Sequence, residues 1–248
     1  MLLEQYLSLL IQWLQDLKQK NHVKGYIVGL SGGIDSAVTA FLLQKAVGKD
    51  CLAVIMPCES DPQDAQDARL VARLCNISTI EMDLTPTYLQ WKNDFNLLQQ
   101  HIKLDVPSLA YANSKVRLRM VTLYALATQL NYLVTGTDNW AEWYTGYFTK
   151  FGDGGVDLVP LIHLTKGEVW QAAKLLGVPQ SIIDRKPTAG ILPGVYDEDE
   201  LRVSYSEIDR FLLGNSITKD HEERLLELHK ISEHKRNLAI TPPKWERD

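Results

Sequence analysis

Leu2, Leu3, Tyr6, Leu7, Leu10, Ile11, Leu14 and Leu17 recur at helical spacing, so residues 2–20 predict an amphipathic helix. Its apolar stripe fits packing on a body or on a partner. The polar face mixes Glu4, Asp16, Lys18 and Lys20, which suits a membrane surface poorly. From residue 26 the pattern alternates. Residues 26–30 read as a strand ending in Ser-Gly-Gly, and 37–47 as an apolar helix. Residues 51–56 read as a second strand stopped by Pro57. Residues 61–75 read as a helix, with Pro62 tolerated in its first turn. A third strand falls at 78–84. A long helix at 108–131 runs through Val116, Met120, Leu123, Leu126 and Leu130, and a fourth strand spans 132–135.

Strand–helix alternation predicts an α/β fold: a doubly wound, mostly parallel sheet with helices on both faces. Such sheets bind ligands at the carboxyl ends of their strands. The informative residues should therefore lie directly after Leu30, Met56 and Thr135. Beyond residue 160 the chain reads as mostly helical. Thr165 with Glu168, and Ser204 with Glu207, mark helix starts, and Gly177 before Pro179 marks a stop. Residues 186–200, rich in Pro, Gly and acid, read as a mobile loop. Nothing marks a linker, so residues 1–248 are expected to form a single domain.

Composition narrows the class. The 248 residues are 45% hydrophobic and 23% charged, values that exclude a disordered chain. The net charge of −5 argues against a nucleic-acid partner. Cys51, Cys58 and Cys75 are odd in number and lack paired spacing, which suits a reducing cytoplasm. No basic stretch and apolar core form a leader at the N-terminus, and no apolar run approaches about 18 residues. A cytoplasmic protein without a membrane partner is expected.

The segment Gly29, Leu30, Ser31, Gly32, Gly33, Ile34, Asp35, Ser36 lies between a strand and a helix. Its glycines admit a close ligand, and backbone N–H groups at a helix start form an anion cradle. Asp35 would repel phosphate unless Mg²⁺ bridged the two. The same residues also fit a tight turn with a capping serine. A second polar stretch, 136–157, comes after the fourth strand and holds Asp138, Glu142, Lys150, Asp153 and Asp157. Those carboxylates suit metal, ribose or ammonium, or a solvated turn.

The SGGxDS loop resembles the pyrophosphate loop of the ATP pyrophosphatases. The second stretch is more specific and resembles the NAD synthetase signature GT(D/G)xxxE…GYxTxxGDGGxD. Three further matches stand in the family's order: Asn113 to Met120 resembles its NxxARxRM helix, Pro187-Thr188-Ala189 its PTA segment, and Glu233 to Arg236 its EHKR. The chain is thus identified as similar to the NAD synthetases from about residue 25 to 236. The resemblance implies a Rossmann-like ATP pyrophosphatase fold. It also implies a C–N ligase that converts deamido-NAD to NAD with ATP and ammonia through an adenylate, releasing AMP and pyrophosphate.

The resemblance also implies roles. Gly29 to Ser36, Thr137, Lys166 and Thr188 would contact ATP. Asp35 and Glu142 would hold Mg²⁺. Arg117, Lys150, Asp157, His234 and Lys235 would contact deamido-NAD, and Asp153 would lie near the ammonia. Asp153, Lys166 and Glu142 form the expected catalytic set. Lys166 inside its capping box also fits plain helix surface, and Arg117 a solvated face. Three positions depart from the family: Ala112 and Arg202 stand where Gly is usual, and Val116 where Ala is. A homodimer is implied, with the dinucleotide at its interface and the N-terminal helix as a contributor. No glutaminase domain fits in the length, so free ammonia is the expected nitrogen donor.

Overall fold

The computed structural model describes residues 1–102, 108–188 and 196–245. The predicted strands form one four-stranded parallel sheet in the order β3-β2-β1-β4, with β1 at Gly25–Gly29, β2 at Cys51–Ile55, β3 at Ser78–Glu81 and β4 at Tyr132–Thr135. Alternation within the strands sends side chains to opposite faces. Tyr26, Val28, Ala53 and Ile55 enter one core, and Ile27, Val54 and Val134 enter the other.

The first core is covered by helices α1 (Leu3–Lys20), α2 (Ile34–Val47), α3 (Pro62–Cys75) and, later in the chain, Lys166–Leu176. Helices α4 (Thr85–Ile102) and α5 (Ser108–Leu130) cover the second. The sheet is therefore doubly wound, as the alternation predicts. The apolar stripe of α1 is core packing: Leu7, Leu10 and Leu14 are buried, and Tyr26 Oη donates to Leu14 O at 2.5 Å. Burial of each such leucine stabilises the fold by about 1.5–3 kcal/mol. Helix α2 is buried nearly all round, which explains its continuous apolar sequence. Cys51, Cys58 and Cys75 are free and buried, and burial pushes the Cys51 thiol up to about 12.

Helix α4 is absent from the sequence reading. Its aromatic residues Tyr88, Trp91 and Phe95 stack along one face, and Trp91 and Phe95 meet Tyr111 of α5 edge-on. The third strand stops at Glu81, short of the predicted Leu84. Met82 N and Leu84 N instead donate to Ile55 O and Pro57 O as the chain crosses the end of β2.

After β4 come α6 (Trp140–Thr145), α7 (Lys166–Leu176), α8 (Gln180–Ile183), α9 (Asp197–Leu201), α10 (Tyr205–Leu212) and α11 (Lys219–Ile231). Much of the loop expected at 186–200 lies outside the described residues, but its last part is helix α9. Four acidic residues in that helix's first turn complement its N-terminal dipole. Arg202 closes α9 with φ +61, a left-handed conformation that explains why glycine suits this position. Among the described residues no helix is long and apolar enough to cross a membrane.

The chain builds outward from β1 to β3, then returns to β1's other side for β4. The winding reverses between β1 and β4. At such a switch point the loops leaving neighbouring strands part and open a crevice at the carboxyl ends.

Candidate active site

The loop leaving β1 forms one wall of that crevice. Gly32 has φ +87, and a Cβ there would lie 2.4 Å from Asp64 O of α3. Only glycine fits both the left-handed backbone and that approach. Ser31 Oγ and Ser36 Oγ lie 3.0 Å apart, Gly33 N donates to Ser31 Oγ, and Ser36 Oγ donates to Gly33 O. No side chain caps α2, so its first amides remain available to an anion.

The loop leaving β4 supplies the second wall. Asn139 caps α6: its Oδ1 accepts from Glu142 N, and Glu142 Oε2 accepts from Asn139 N, both at 3.1 Å. That exchange fixes the Glu142 carboxylate. Asn139 Nδ2 also reaches across to donate to Asp35 Oδ1 at 2.8 Å. Thr165 caps α7 with Glu168, which sets Lys166 at the first helical position. Lys166 Nζ donates to Asp35 Oδ2 at 2.6 Å and to Glu142 Oε1 at 3.4 Å. With 2% of its surface exposed, Lys166 is not plain helix surface.

Burial governs the ionisation of this cluster. Burial first, then the charge of Asp35, pushes the Glu142 carboxyl up to about 8, although Lys166 opposes the rise. For Lys166, burial acts to lower the ammonium's pKa, but Asp35 and Glu142 more than offset it and hold it above its ordinary value. Asp153 and Asp197 are both raised, chiefly by burial. Asp153 Oδ1 accepts from Thr149 N at 2.7 Å, and Tyr205 Oη donates to Asp197 Oδ2 at 2.9 Å. The site thus gathers carboxylates that favour a bound cation, opposite a loop that favours a bound anion.

Asp35 and Glu142 are hard oxygen donors already placed to share one cation. Among the described residues no group of three or more metal-ligating side chains exists. A divalent ion held here would draw its remaining ligands from phosphate and water.

One cavity is lined by Gly29, Leu30, Ser31, Gly33, Ile34, Asp35, Ser36, Thr137, Glu142, Asp153, Lys166 and Thr188. Gly32, expected at ATP with its neighbours, is not part of that lining and packs closely against α3 at Asp64 O. The five residues expected at deamido-NAD do not line the cavity. Four of them gather beside it. Arg117 donates to Lys150 O at 3.3 Å, Lys150 Nζ donates to His234 O, and Lys235 Nζ donates to Gly146 O and Phe148 O at 2.7 and 2.8 Å. Asp157 lies apart, accepting from Tyr124 Oη and Val134 N. Ala189 of the PTA segment lies outside the described residues. Val116 is buried against Gly152, where a Cβ would lie 2.8 Å from its Cγ1, and Ala112 is also buried.

Several residues of the site escaped the sequence reading. Asn139, which does not line the cavity but holds Asp35 and Glu142, was detectable, because Asn139 and Glu142 have capping-box spacing. Asp197 carried no local signal, whereas Tyr147 and Arg119 stand inside the matched motifs but were given no role. Arg119 donates from Nε to Met56 O and from Nη2 to Ser60 Oγ, 63 and 59 residues away in the chain.

This arrangement has known counterparts. The sequence profile of the NAD synthase family matches residues 6–239. The NH3-dependent NAD+ synthetase of Mesoplasma florum is 46% identical over 247 residues, 99% of each chain. A solved NMN synthetase from Francisella tularensis is 41% identical with a TM-score of 0.91, covering 98% of this chain and 99% of that one. The NAD+ synthetase structure from Burkholderia pseudomallei is 28% identical with a TM-score of 0.77, over 96% and 91%. A family match over residues 6–239, with a relative 46% identical over 99% of each chain, places the chain in the NAD synthase family.

Proposed function

We propose that this protein converts deamido-NAD to NAD in the cytoplasm, using ATP and free ammonia and releasing AMP and pyrophosphate. The observation that carries the reading is the pairing of an uncapped Gly-rich helix start with the buried Lys166, Asp35 and Glu142 in one cavity. A carboxylate is a poor acyl donor to ammonia. Attack of its oxygen on the ATP α-phosphorus forms an O–P bond, expels pyrophosphate and yields an adenylate that can leave. That step brings anions together, and a dry site of preset charge stabilises them best. Lys166 supplies the fixed cation, and Gly29 to Ser36 orient the phosphates. Mg²⁺ held by Asp35 and Glu142, with phosphate completing its shell, would add charge neutralisation. Thr137 and Thr188 line the cavity and fit ATP contacts. Asp153 would hold ammonium and take its proton, so that neutral NH3 attacks the acyl carbon and AMP departs with the C–O electron pair.

A homodimer belongs to this reading. The stripe on α1 is used internally, but Leu89, Leu97 and Leu98 of α4 and Leu109 and Val121 of α5 are exposed. That apolar surface suits a second copy better than α1 does. Arg117, Lys150, His234 and Lys235, set beside the cavity, suit the dinucleotide's far half, with Asp157 the fifth residue of that expected set. Residues 1–248 serve in this reading as one synthetase domain.

A second reading has the same chemistry act on the acid mononucleotide. The likeness to the Francisella NMN synthetase favours it. One assay separates the two: purified protein receives ATP, Mg²⁺ and ammonium chloride with either acid nucleotide. Equal amounts of NAD and AMP, with kcat/KM higher for deamido-NAD, support the first reading. A preference for the mononucleotide supports the second, and turnover with glutamine but not ammonium overturns both.

A further inference from the structure

The carboxyl end of β4 carries polar atoms that the roles above leave unused. Asp138 is 4% exposed, lines the cavity, and its Oδ2 has no hydrogen-bond partner among the described residues. Thr135, 2% exposed on the same cavity, has an Oγ1 in the same condition. Buried acceptors without partners are rare, because each gives up its hydration for nothing. Burial pushes the Asp138 carboxyl well up, and among neighbouring charges Asp153 contributes most. The nearby ammonium of Lys166 is engaged with Asp35 and Glu142 instead.

A ligand well suited to Asp138 is small, donates hydrogen bonds in several directions, and carries positive charge that offsets the repulsion from Asp153, Glu142 and Asp35. Ammonium does all three. Resting on the reaction proposed above, we propose that Asp138 is a second carboxylate of the ammonium subsite: Oδ2 accepts a hydrogen bond from the ion while Asp153 accepts another, and Thr135 Oγ1 completes the cradle. Asp153 is the more firmly held of the two carboxylates, through Thr149 N. Asp138 adds affinity and fixes the nitrogen at the carboxyl end of β4. One proton passes from ammonium to a carboxylate before attack. The nitrogen lone pair then forms the C–N bond, the C–O bond to AMP breaks, and the nitrogen sheds a second proton as the amide forms.

The test is Asp138→Asn, which keeps the shape and removes the charge. Two quantities are read: the KM for ammonium chloride at saturating ATP and deamido-NAD, and the AMP-forming burst without ammonia. The ammonium KM should rise at least about tenfold, which is about 1.4 kcal/mol of lost binding, while the burst and the KM for ATP stay unchanged. An ammonium KM at the wild-type value overturns the proposal, as does a burst that falls in step with it. A measurement on the wild-type protein covers the case in which the variant does not fold. Ammonium chloride should raise its Tm above that in tetramethylammonium chloride at equal ionic strength, and equal Tm values overturn the subsite. Wild-type protein that makes no NAD at all would instead overturn the proposed reaction.

Discussion

Replacing Lys166 with Met removes the buried ammonium that faces both Asp35 and Glu142 while roughly conserving side-chain volume. The wild-type contacts are 2.6 and 3.4 Å, and the lysine is 2% exposed. Removing one member of such a cluster strands charge in a dry site and costs about 3–5 kcal/mol. At about 2–4 °C per kcal/mol for a chain of this size, Tm should fall on the order of 10 °C. The loss should depend on pH. Glu142 already sits at about 8, and without Lys166 its affinity for a proton rises further. Protonation relieves the repulsion, so the gap between variant and wild type should be wide at pH 8.5 and narrow at pH 6. Adding Glu142→Gln should restore part of the stability, because the two changes share one interaction. Activity should fall by about 10²–10³, the range for loss of a preset charge partner in a reaction site. Scanning calorimetry at the two pH values and steady-state NAD formation measure these effects. A variant as stable as wild type at pH 8.5, and within about threefold in kcat/KM, would refute the argument that the cluster depends on this cation.

Three more outcomes concern other residues. Gly32→Ala forces a Cβ to within 2.4 Å of Asp64 O in a left-handed backbone, which should cost at least about 2 kcal/mol in denaturant unfolding and abolish the thermal shift given by ATP. Arg202→Gly should stabilise by about 0.5–1 kcal/mol, since glycine tolerates φ +61, and a loss of stability would mean that the arginine side chain makes a contact worth more than the strain. Glu142 is raised from an ordinary 4.5 to about 8, so its contribution to stability is fully present below pH 4.5 and lost as pH rises through 8. Without nucleotide, wild-type protein should therefore lose stability across that window relative to Glu142→Gln, and parallel curves would contradict the shift.

Particular residues show what the chain made legible. The strands at 26–30, 51–56 and 132–135 were readable because strands covered on both faces are continuously apolar. The loops after β1 and β4 were readable because their glycines and carboxylates suit nothing in a core. Helix α4 was not, because its aromatic face gains meaning only against Tyr111 of α5. Lys166 illustrates the limit most clearly. Its capping box was visible, but its burial depends on Asp35, 131 residues away in the chain. Asp138 could be named as a carboxylate, whereas its unpartnered Oδ2 is a property of the packed cavity. The dinucleotide residues stood in order in the chain, yet the fold sets four of them beside the cavity and Asp157 apart, with none in its lining.

The central claim is that this cavity activates a carboxylate by transferring AMP to it. Deamido-NAD carrying heavy oxygen in its nicotinate carboxylate tests this directly, with ATP, Mg²⁺ and ammonium chloride and mass analysis of the products. Attack on the α-phosphorus predicts one labelled oxygen in each AMP formed, none in pyrophosphate, and NAD equal in amount to AMP. Label in orthophosphate with ADP as the partner product, or AMP without label, would contradict the account.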